Sequence, residues 1–388
     1  MKVLLYEPTG YGGHALYVKN LSSALSDNGN EIVLLTSNPY SFANERLNYK
    51  FVDTLKQMRA DLSYLKVRPL WAADRFYRAF YNAYKRNKIC SLMKPDIVHL
   101  QLTVPLVDQI YVPFLSRKYK TVYTVHNVIL HKDTINNRKS FLNRIYQSVN
   151  HLIVHTNSNK DQLITEFSIS AEKITVIPHG IDPPPVNLEN KSNIREKLSI
   201  SQNTPVVLFF GSIRANKGLD VLLKAMPLVI KSSPKTQLIV AGGMPLGERF
   251  DKYERLINEL RLKDNVILEV RWIEDHEMEL YFQASDIVAL PYTSFASQSG
   301  VLLQTYKYGK PVVVTDVGGL SETVRDDETG IVVEQSPEVV AASILRLLED
   351  KELYYRYSQN MLNAVLEKYN WDIVAKKTID IYRKVLNQ

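Results

Sequence analysis

Apolar, β-branched runs alternate with longer amphipathic segments through the first half of the chain. The runs read KVLLY, EIVLLT, DIVHLQ, TVYTVHN, HLIVHT and ITVIPHG, and turn residues separate them from the amphipathic segments. Runs of this kind are typical of strands buried on both faces of a parallel sheet, with the amphipathic segments as crossover helices. The pattern therefore predicts an α/β domain over residues 1–182.

A second series of apolar runs follows a proline-rich stretch. The stretch GIDPPPVN begins at Gly180, and its prolines can continue neither a helix nor a central strand. The runs then resume as PVVLFFGS, QLIVAGG, NVILEV, DIVALP, PVVVTD and GIVVE. We predict a second α/β domain over residues 190–366, joined to the first near residues 182–190.

The last segment, residues 367–388, is predicted to be an amphipathic helix. Its apolar side chains fall on one helical face: Trp371, Ile373, Val374, Ile379, Tyr382 and Val385. Such a face needs a partner surface.

Size and composition agree with a globular protein of two or three domains. The chain has 388 residues, of which 45% are hydrophobic and 23% charged. The single cysteine, Cys90, cannot form an internal disulfide, and we expect it to be buried among apolar residues. The first apolar stretch is too short for a signal peptide, and no run approaches the ~18 residues of a membrane span. We therefore expect a cytoplasmic protein.

The formal net charge of +7 is confined to one segment. Residues 41–90 hold 11 Lys and Arg against 4 Asp and Glu, so 11 − 4 gives +7, while the other 37 basic and 37 acidic residues cancel. The stretch RPLWAADRFYRAFYNAYKRNK lies in this segment. It spaces aromatic residues at i, i+4 and i+8 and interleaves cations with them: Phe76, Phe80 and Tyr84, also Tyr77 and Tyr81, with Arg75, Arg78, Lys85 and Arg86.

This combination suits a helix that contacts an anionic membrane. An ordinary domain helix, with buried aromatic residues and a solvated basic face, is the alternative. No recognition motif for nucleic acid accompanies the charge, so nucleic acid is not an expected partner.

Glycines follow the first apolar run in the spacing of a dinucleotide-binding turn. Gly10, Gly12 and Ala15 give G-x-G-x-x-A. An NAD site also needs a carboxylate at the end of the second strand, and residues 36–38 there are Thr, Ser and Asn. The turn therefore predicts an anion site at a helix N-terminus and gives no support for NAD.

The second half opens with FFGSIRANKGLDVLLKA. A strand ends at Gly211, and the loop that follows carries Arg214 and Lys217 before Gly218 and a helix. Fixed cations beside free backbone N–H groups are what a diphosphate needs. A charged surface loop is the alternative interpretation.

A longer block, ALPYTSFASQSGVLLQTYKYGKPVVVTDVGGLSE, is more specific. Its first strand ends at Pro291, and a loop of small residues leads to a helix that begins near Ser299 or Gly300. The N–H groups of that helix would form a second anion site in the crevice between the domains.

The same chain also carries, in order, GGHALYVKNLSSAL, TVHN, VIPHGID and the final tryptophan helix. Together these blocks resemble a retaining glycosyltransferase of family 4 with the GT-B fold. The resemblance covers almost the whole chain except the basic segment. It implies two Rossmann-like domains facing across a cleft, with the C-terminal helix crossing back to the N-terminal domain. It also implies a nucleoside diphosphate sugar of UDP or GDP type bound mainly by the C-terminal domain, an acceptor on the N-terminal domain, and no cofactor or metal.

Site residues follow from the resemblance. Arg214 and Lys217 match the cations that stabilise the leaving diphosphate, and His126 matches a histidine near the transferred sugar, with a strand-end structural histidine as the alternative. His155 and His179 are expected to be structural. Gly12 and Gly13 would let the backbone approach the diphosphate. The remaining donor-binding residues would be Gly211, Ser212, Gly243, Trp272, Ile273, Ser299, Gly300, Val301 and Gln304.

The sequence departs from the family pattern at a pair of glutamates. The aligned positions here hold Ala296 and Gln304. Alanine cannot contact the hydroxyls of the donor sugar, whereas Gln304 can still hydrogen-bond a ribose. The arginine also stands at Arg214, two positions after the more usual place, which holds Ser212.

The resemblance thus implies a metal-independent, retaining hexosyltransferase that acts on a saccharide or lipid-linked saccharide. Bacterial surface polysaccharide or glycolipid synthesis, at the inner face of the plasma membrane, is the expected setting. A nucleotide-sugar epimerase is one alternative, although Ala296 and Gln304 supply no carboxylate for proton abstraction. A non-catalytic subunit of a polysaccharide assembly system is the other.

Overall fold

The chain divides into two compact α/β units. The computed structural model describes residues 1–58, 68–129, 135–183, 191–245, 247–295 and 297–388. One unit comprises residues 1–180 and 369–388, and the other comprises residues 181–368. Ala296 and residues 184–190 of the expected linker lie outside the described residues.

Unit 1 is built on a parallel sheet of seven strands in the order β3-β2-β1-β4-β5-β6-β7. Its strands are β1 (Lys2–Glu7), β2 (Glu31–Asn38), β3 (Lys50–Lys56), β4 (Ile97–Leu100), β5 (Lys120–Thr124), β6 (His151–Val154) and β7 (Ile174–Val176). The helices that follow them along the chain are α1 (Gly12–Asp27), α2 (Arg68–Met93), α3 (Pro105–Ser116), α4 (Ile135–Ser148) and α5 (Asn157–Phe167).

The unit 1 strands are apolar because helices cover both faces of the sheet. Val3, Leu4 and Leu5 are consecutive in β1 and fully buried, with alternate side chains in two separate core clusters. The edge strand β3, KFVDTLK, is different, since most of its side chains are partly exposed. Because polar residues are mixed with apolar ones in β3, its sequence does not form an apolar run.

Unit 2 contains a parallel sheet of six strands in the order β10-β9-β8-β11-β12-β13. The strands are β8 (Val206–Phe210), β9 (Gln237–Ala241), β10 (Val266–Glu269), β11 (Ile287–Leu290), β12 (Val312–Thr315) and β13 (Gly330–Val333). The helices are α6 (Lys191–Lys197), α7 (Leu219–Ser232), α8 (Asp251–Glu259), α9 (Asp275–Ala284), α10 (Gly300–Lys307), α11 (Gly318–Asp327), α12 (Pro337–Glu349) and α13 (Lys351–Glu367).

The last helix, α14 (Trp371–Leu386), packs on unit 1, as the sequence predicted. Val374, Ile379 and Tyr382 lie in the same core cluster as the first strand and helix of the chain. At its start, the indole of Trp371 occupies the space that a Cβ at Gly180 would need. Cys90 is buried in the other unit 1 cluster, which confirms its expected place.

A glycine at the start of α7 allows two unit 2 segments to touch through their main chains. Gly218 has φ of +67°, and a Cβ there would overlap the carbonyl oxygen of Pro291. Both features exclude an L side chain, since the left-handed region and the backbone oxygen each oppose it.

Two alanine substitutions, one at Gly218 and one at Gly247, separate the effects of backbone conformation and of steric overlap. Gly247 has φ of +84° and open space around it. Gly247→Ala should lower the free energy of unfolding by about 1 kcal/mol, the cost of the left-handed conformation. Gly218→Ala should lower it by about 2–4 kcal/mol, because overpacking adds to that cost. Urea unfolding measures both. Equal losses in the two variants would show that the main-chain contact is not tight.

Candidate active site

Both sheets have the strand order that creates a crevice at their carboxyl edges. In each, the order reverses beside the first strand, between β1 and β4 in unit 1 and between β8 and β11 in unit 2. Open α/β sheets bind ligands at the carboxyl ends of strands at such a switch point. The predicted site residues of each unit therefore belong to the edge where a ligand is expected.

The unit 2 edge is held together by backbone hydrogen bonds between loops. Gly211 donates to Ala241, and Ile213 donates to the carbonyl of Gly243, both at 2.9 Å. A Cβ at Gly242 would overlap the carbonyl oxygen of Gly211. The loop after β8 therefore lies directly against the loop after β9.

The same β8 loop is also fixed to the loop after β11. The backbone N–H of Thr293 donates to the carbonyl of Asn216 at 3.0 Å, and the Asn216 amide donates to Ser294 at 3.2 Å. With the Gly218 contact to Pro291, these bonds hold Arg214 and Lys217 beside the segment that leads to α10.

Lys217 lies against two aromatic rings. Its Nζ is 3.6 Å from the ring centroid of Tyr292 and 4.4 Å from that of Phe295. Burial, and then the charge of Arg214, lowers the pKa of Lys217 to about 7. Arg214 itself is exposed. No described carboxylate forms an ion pair with either cation, so the loop has charge available for an anion.

Helix α10 begins beside this loop, at the residue that the sequence predicted. The Ser299 hydroxyl caps it by accepting from the N–H of Leu302 at 3.3 Å. A Cβ at Gly211 would lie 3.0 Å from the side chain of Val301, so the first turn contacts the β8 loop. The N–H groups of a first turn have no intrahelical partner, and they favour negative charge.

The other predicted donor residues of unit 2 differ in exposure. Trp272 follows β10 and is 71% exposed, whereas the neighbouring Ile273 is buried. Arg271 fixes this turn through two hydrogen bonds to Glu277, at 2.8 and 2.7 Å. Gly243 is adjacent to the backbone of the same turn. Ser212 is exposed, and Gln304 is partly buried on α10.

In unit 1, a buried glutamate organises the turn after β1. One oxygen of Glu7 accepts from the N–H of Thr9 at 2.9 Å, and the other accepts from the N–H of Gly10 at 2.8 Å. Helix α1 then begins at Gly12, and the Cβ positions of Gly12 and Gly13 face open space. Glu7 lies at the end of β1, whereas the sequence pattern indicated a carboxylate only at the end of β2, and its contacts here stabilise the turn.

His126, which is partly buried, belongs to a network of hydrogen-bonded polar side chains across the same edge. Its Nδ1 lies 3.1 Å from Nε2 of His155, whose Nδ1 is 2.9 Å from the carbonyl oxygen of Ile177. Its Nε2 lies 3.1 Å from one end of the Gln101 amide. The other end of that amide is 3.1 Å from Nε2 of His99. The network ends where His99 Nδ1 meets the Tyr382 hydroxyl at 2.6 Å.

Burial keeps these histidines neutral. It lowers the pKa of His99 and of His155 to about 3, in the latter case with a contribution from His179. Burial and the neighbouring histidines also hold the pKa of His126 well below its usual range. Tyr17 packs edge-on against both His126 and His155, which encloses the pair.

Neutrality fixes the direction of the hydrogen bonds. The Ile177 carbonyl requires the proton of His155 on Nδ1, so Nε2 of His155 must accept a proton from His126. His126 then accepts at its own Nε2, which requires the nitrogen end of the Gln101 amide on that side. The amide oxygen in turn faces the Nε2–H of His99, which the Thr124 hydroxyl also contacts at 2.7 Å. Gln101 thus holds His126 in the Nδ1–H tautomer.

The hydrogen bonds between these side chains predict the tautomer of each histidine, which NMR can measure. In ¹⁵N-histidine NMR spectra, His126 and His155 should be neutral Nδ1–H tautomers at pH 6, and His99 should be the Nε2–H tautomer. Gln101→Glu should place an imidazolium in the network at pH 7, because a carboxylate accepts from both sides and leaves the His126–His155 pair short of a proton.

Gln109→Glu, on the partly exposed surface of α3, is the matched control and should leave the histidine spectra unchanged. A charged or Nε2–H His126 in the wild-type protein at pH 6 would contradict the assignment.

The predicted membrane residues on α2 do not all share one face. The expectation that Arg86 contacts a membrane is wrong. Its side chain is fully buried, and Nη1 donates to Asp108 of α3 at 2.9 Å. Its guanidinium also lies 4.8 Å from the ring centroid of Tyr6. Arg86 points into the packing between α2 and the sheet, so it is not available to a membrane.

The other α2 residues are at least partly accessible. Phe76 and Phe80 are exposed, while Arg75, Arg78 and Lys85 are partly exposed. Arg78 is paired with Asp74 at 2.6 Å. Among the helices of the described ranges, none is both long enough and apolar enough to cross a bilayer.

Comparisons with known proteins agree with this geometry. The sequence model described as Glycosyltransferase Family 4 matches residues 11–184, and the one described as Glycosyl transferases group 1 matches residues 190–363. An uncharacterized glycosyltransferase of Methanocaldococcus jannaschii is 26% identical over 97% of this chain and 96% of its own. The D-inositol 3-phosphate glycosyltransferase of Xylanimonas cellulosilytica is 27% identical over 60% of this chain, a match that spans 56% of that relative.

Among solved structures, Anabaena HepE in complex with UDP superposes with a TM-score of 0.77. The superposition covers 99% of this chain and 100% of that one at 18% identity, which shows a common fold. Together the two sequence models cover nearly the whole of both α/β units. The chain is a glycosyltransferase of family 4 with the GT-B fold.

Proposed function

We propose that this glycosyltransferase moves a hexose from a UDP- or GDP-sugar to a saccharide or lipid-linked saccharide, with retention of anomeric configuration. The observation that carries the proposal is the cationic loop of Arg214 and Lys217, which lies at a switch point beside the N-terminus of α10. A diphosphate supplies the negative charge that would balance these cations and the N–H groups of the helix. The Anabaena relative of the same fold has been solved with UDP and with UDP-glucose.

In the proposed reaction, the bond between the anomeric carbon and the diphosphate oxygen breaks while the acceptor oxygen forms a new bond on the same face of the sugar. The proton of the acceptor hydroxyl passes to the departing diphosphate oxygen. Negative charge grows on the departing diphosphate. Arg214, Lys217 and the first-turn N–H groups of α10 would stabilise that charge, which is the largest single contribution in many enzymes. These groups make a metal unnecessary in the proposal. Within the described residues, no cluster of three or more His, Cys, Asp or Glu is arranged to bind one.

The remaining parts of the donor have candidate partners in unit 2. The exposed ring of Trp272 offers a stacking surface for the base, and the side chain of Gln304 offers a hydrogen bond to the ribose. The Gln304 side chain makes no hydrogen bond with the described part of the chain, so its amide can bind a ligand. We also propose Gly12 and Gly13 of unit 1, whose Cβ positions face open space, as donor-binding residues.

We further propose that unit 1 binds the acceptor and that His126 contacts the transferred sugar. The structure gives His126 a neutral ring whose two nitrogens contact protein groups, so it would position the sugar without acting as a general base. The proposed setting is surface polysaccharide or glycolipid synthesis at the inner face of the plasma membrane.

Turnover tests the proposal directly. The purified protein is incubated with UDP- and GDP-sugars, candidate saccharide acceptors and EDTA, and released nucleotide and product are measured by NMR. We expect nucleotide release coupled to a product that keeps the donor's anomeric configuration. An epimerised donor without nucleotide release would indicate an epimerase, and donor binding without any turnover would indicate a non-catalytic subunit. Activity that EDTA abolishes and Mn²⁺ restores would contradict metal independence.

The loop cations give a second prediction. Arg214→Ala or Lys217→Ala should each lower kcat by about 10²-fold, as the loss of one preorganised charge does elsewhere. Because the pKa of free Lys217 is about 7, UDP affinity should also fall by roughly tenfold between pH 6.5 and pH 8.5 as the ammonium loses its proton.

Lys217→Arg is the matched control for this pH dependence. Arginine stays charged over the whole range, so the variant reports the titration of the nucleotide alone. Calorimetry at several pH values measures both proteins. The same pH dependence in wild type and Lys217→Arg would remove Lys217 from the site.

A further inference from the structure

Two neighbouring helices of unit 1 expose large apolar side chains in regular stripes. On α2 these are Phe76, Phe80 and Tyr84, and on α3 they are Leu106, Ile110 and Phe114, each between 48% and 56% exposed. Both sets have the spacing i, i+4, i+8, which keeps each stripe on one side of its helix. We call these six side chains the apolar face.

The two stripes are held in one surface by contacts between the helices. Phe80 of α2 packs edge-to-face on Tyr111 of α3, with ring centroids 5.6 Å apart. Beneath this contact, Ala79, Ala83 and Val107 are buried in a small shared core. The ion pair of Arg86 with Asp108 adds a second buried connection. The apolar face is therefore presented by a fixed pair of helices.

The charge around the apolar face is positive. Arg117 lies over the ring of Phe114 at 5.6 Å, and Lys85 lies over Tyr81 at 5.4 Å. Lys88 and Lys118 are also exposed on these segments. The carboxylates of α2 and α3 are Asp74, which is paired with Arg78, and Asp108, which is paired with Arg86. Neither is available to neutralise the exposed cations.

Exposed apolar patches on globular proteins mark interaction sites, and the charge identifies the partner here. A second copy of this surface would bring lysines and arginines against one another. An anionic bilayer offers opposite charge to the cations and an interface into which aromatic and aliphatic side chains insert. We propose that the apolar face docks unit 1 on an anionic lipid bilayer, with Leu106, Ile110 and Phe114 of α3 inserting alongside the α2 aromatics.

This proposal deepens the proposed function, because a bilayer-docked unit 1 would take an acceptor that is anchored in the same membrane. The proposed docking surface differs in two respects from the basic α2 surface that the sequence predicted. Arg86 holds the helices together from inside, and the apolar stripe of α3 supplies insertion that the α2 segment alone would lack. The association should be peripheral and should weaken at high salt, since screening shortens the reach of the cations.

Co-sedimentation with vesicles tests the proposal on the full chain. The probes are vesicles of phosphatidylcholine alone and of phosphatidylcholine with 30% phosphatidylglycerol, a composition chosen to supply about one anionic lipid in three. Wild type should pellet with the anionic vesicles only. Ile110→Ser with Phe114→Ser should reduce the bound fraction at least tenfold, and Arg117→Gln with Lys118→Gln should reduce it severalfold.

Tyr355→Ser with Leu366→Ser is the matched control, because both side chains are exposed on α13 of unit 2. It should pellet like wild type. Equal pelleting of the α3 variant, or no pelleting of wild type, would overturn the proposal. A wild-type dimer in sedimentation velocity that Ile110→Ser with Phe114→Ser converts to a monomer would also overturn it, since the face would then join two copies.

UDP binding separates this test from the proposed function. The α3 variant should bind UDP as wild type does and keep its unfolding midpoint, which shows that unit 2 and the fold are intact. Wild type that pellets but transfers no sugar would leave the docking surface standing and reject the transferase. Wild type that transfers sugar to a free saccharide but does not pellet would support the transferase and overturn the docking surface.

Discussion

Close approach of main chains at the carboxyl ends of the unit 2 strands is the constraint on which the candidate donor site depends. The backbone at Gly242 lies against the carbonyl of Gly211, and Gly218 lies against that of Pro291, with no room for a side chain at either glycine. The loops after β8, β9 and β11 are consequently packed together. Lys217 is pressed against Tyr292 and Phe295 as a result, and this partial loss of water lowers its pKa.

The carboxyl edges of the two sheets differ in charge, although burial lowers the pKa of basic side chains at both. In unit 2, Lys217, whose pKa is about 7, and the exposed Arg214 have no carboxylate partner among the described residues, so they can meet an anion. In unit 1 the histidines lose their charge, and a single amide, Gln101, orders the hydrogen bonds on both of its sides. The β8 loop of unit 2 therefore offers charge, whereas the histidine pair of unit 1 offers a neutral surface of fixed shape, which suits a sugar better than a phosphate.

The sequence predicted the repeating strands well because strands buried on both faces must be apolar almost throughout. It missed β3, whose partly exposed side chains at the sheet edge leave a mixed pattern. It also located Arg214, Lys217 and the start of α10, since a strand, a glycine turn and a helix N-terminus follow one another directly along the chain. The positions of these residues relative to Tyr292 and Phe295 depend on contacts distant in sequence, which local patterns do not contain.

The same limit explains the errors on α2. Its spacing showed that aromatic and cationic residues recur at helical intervals, but the partner that buries Arg86 is Asp108, on the next helix. The α3 stripe was overlooked because PLVDQIYVPFLS is apolar on more than one side, and only packing shows which side is covered. The histidine network likewise joins residues from separate strands and from α14.

Hydrogen–deuterium exchange of the full chain with and without UDP is the most direct test of the diphosphate site, because it reports on backbone N–H groups without altering the protein. We expect UDP to slow exchange in residues 211–218 and in the first turn of α10, residues 300–303. The core strands of both units should exchange at the same rate in the two states. Protection that is confined to other segments, or absent at a UDP concentration that saturates binding, would contradict the proposed diphosphate site.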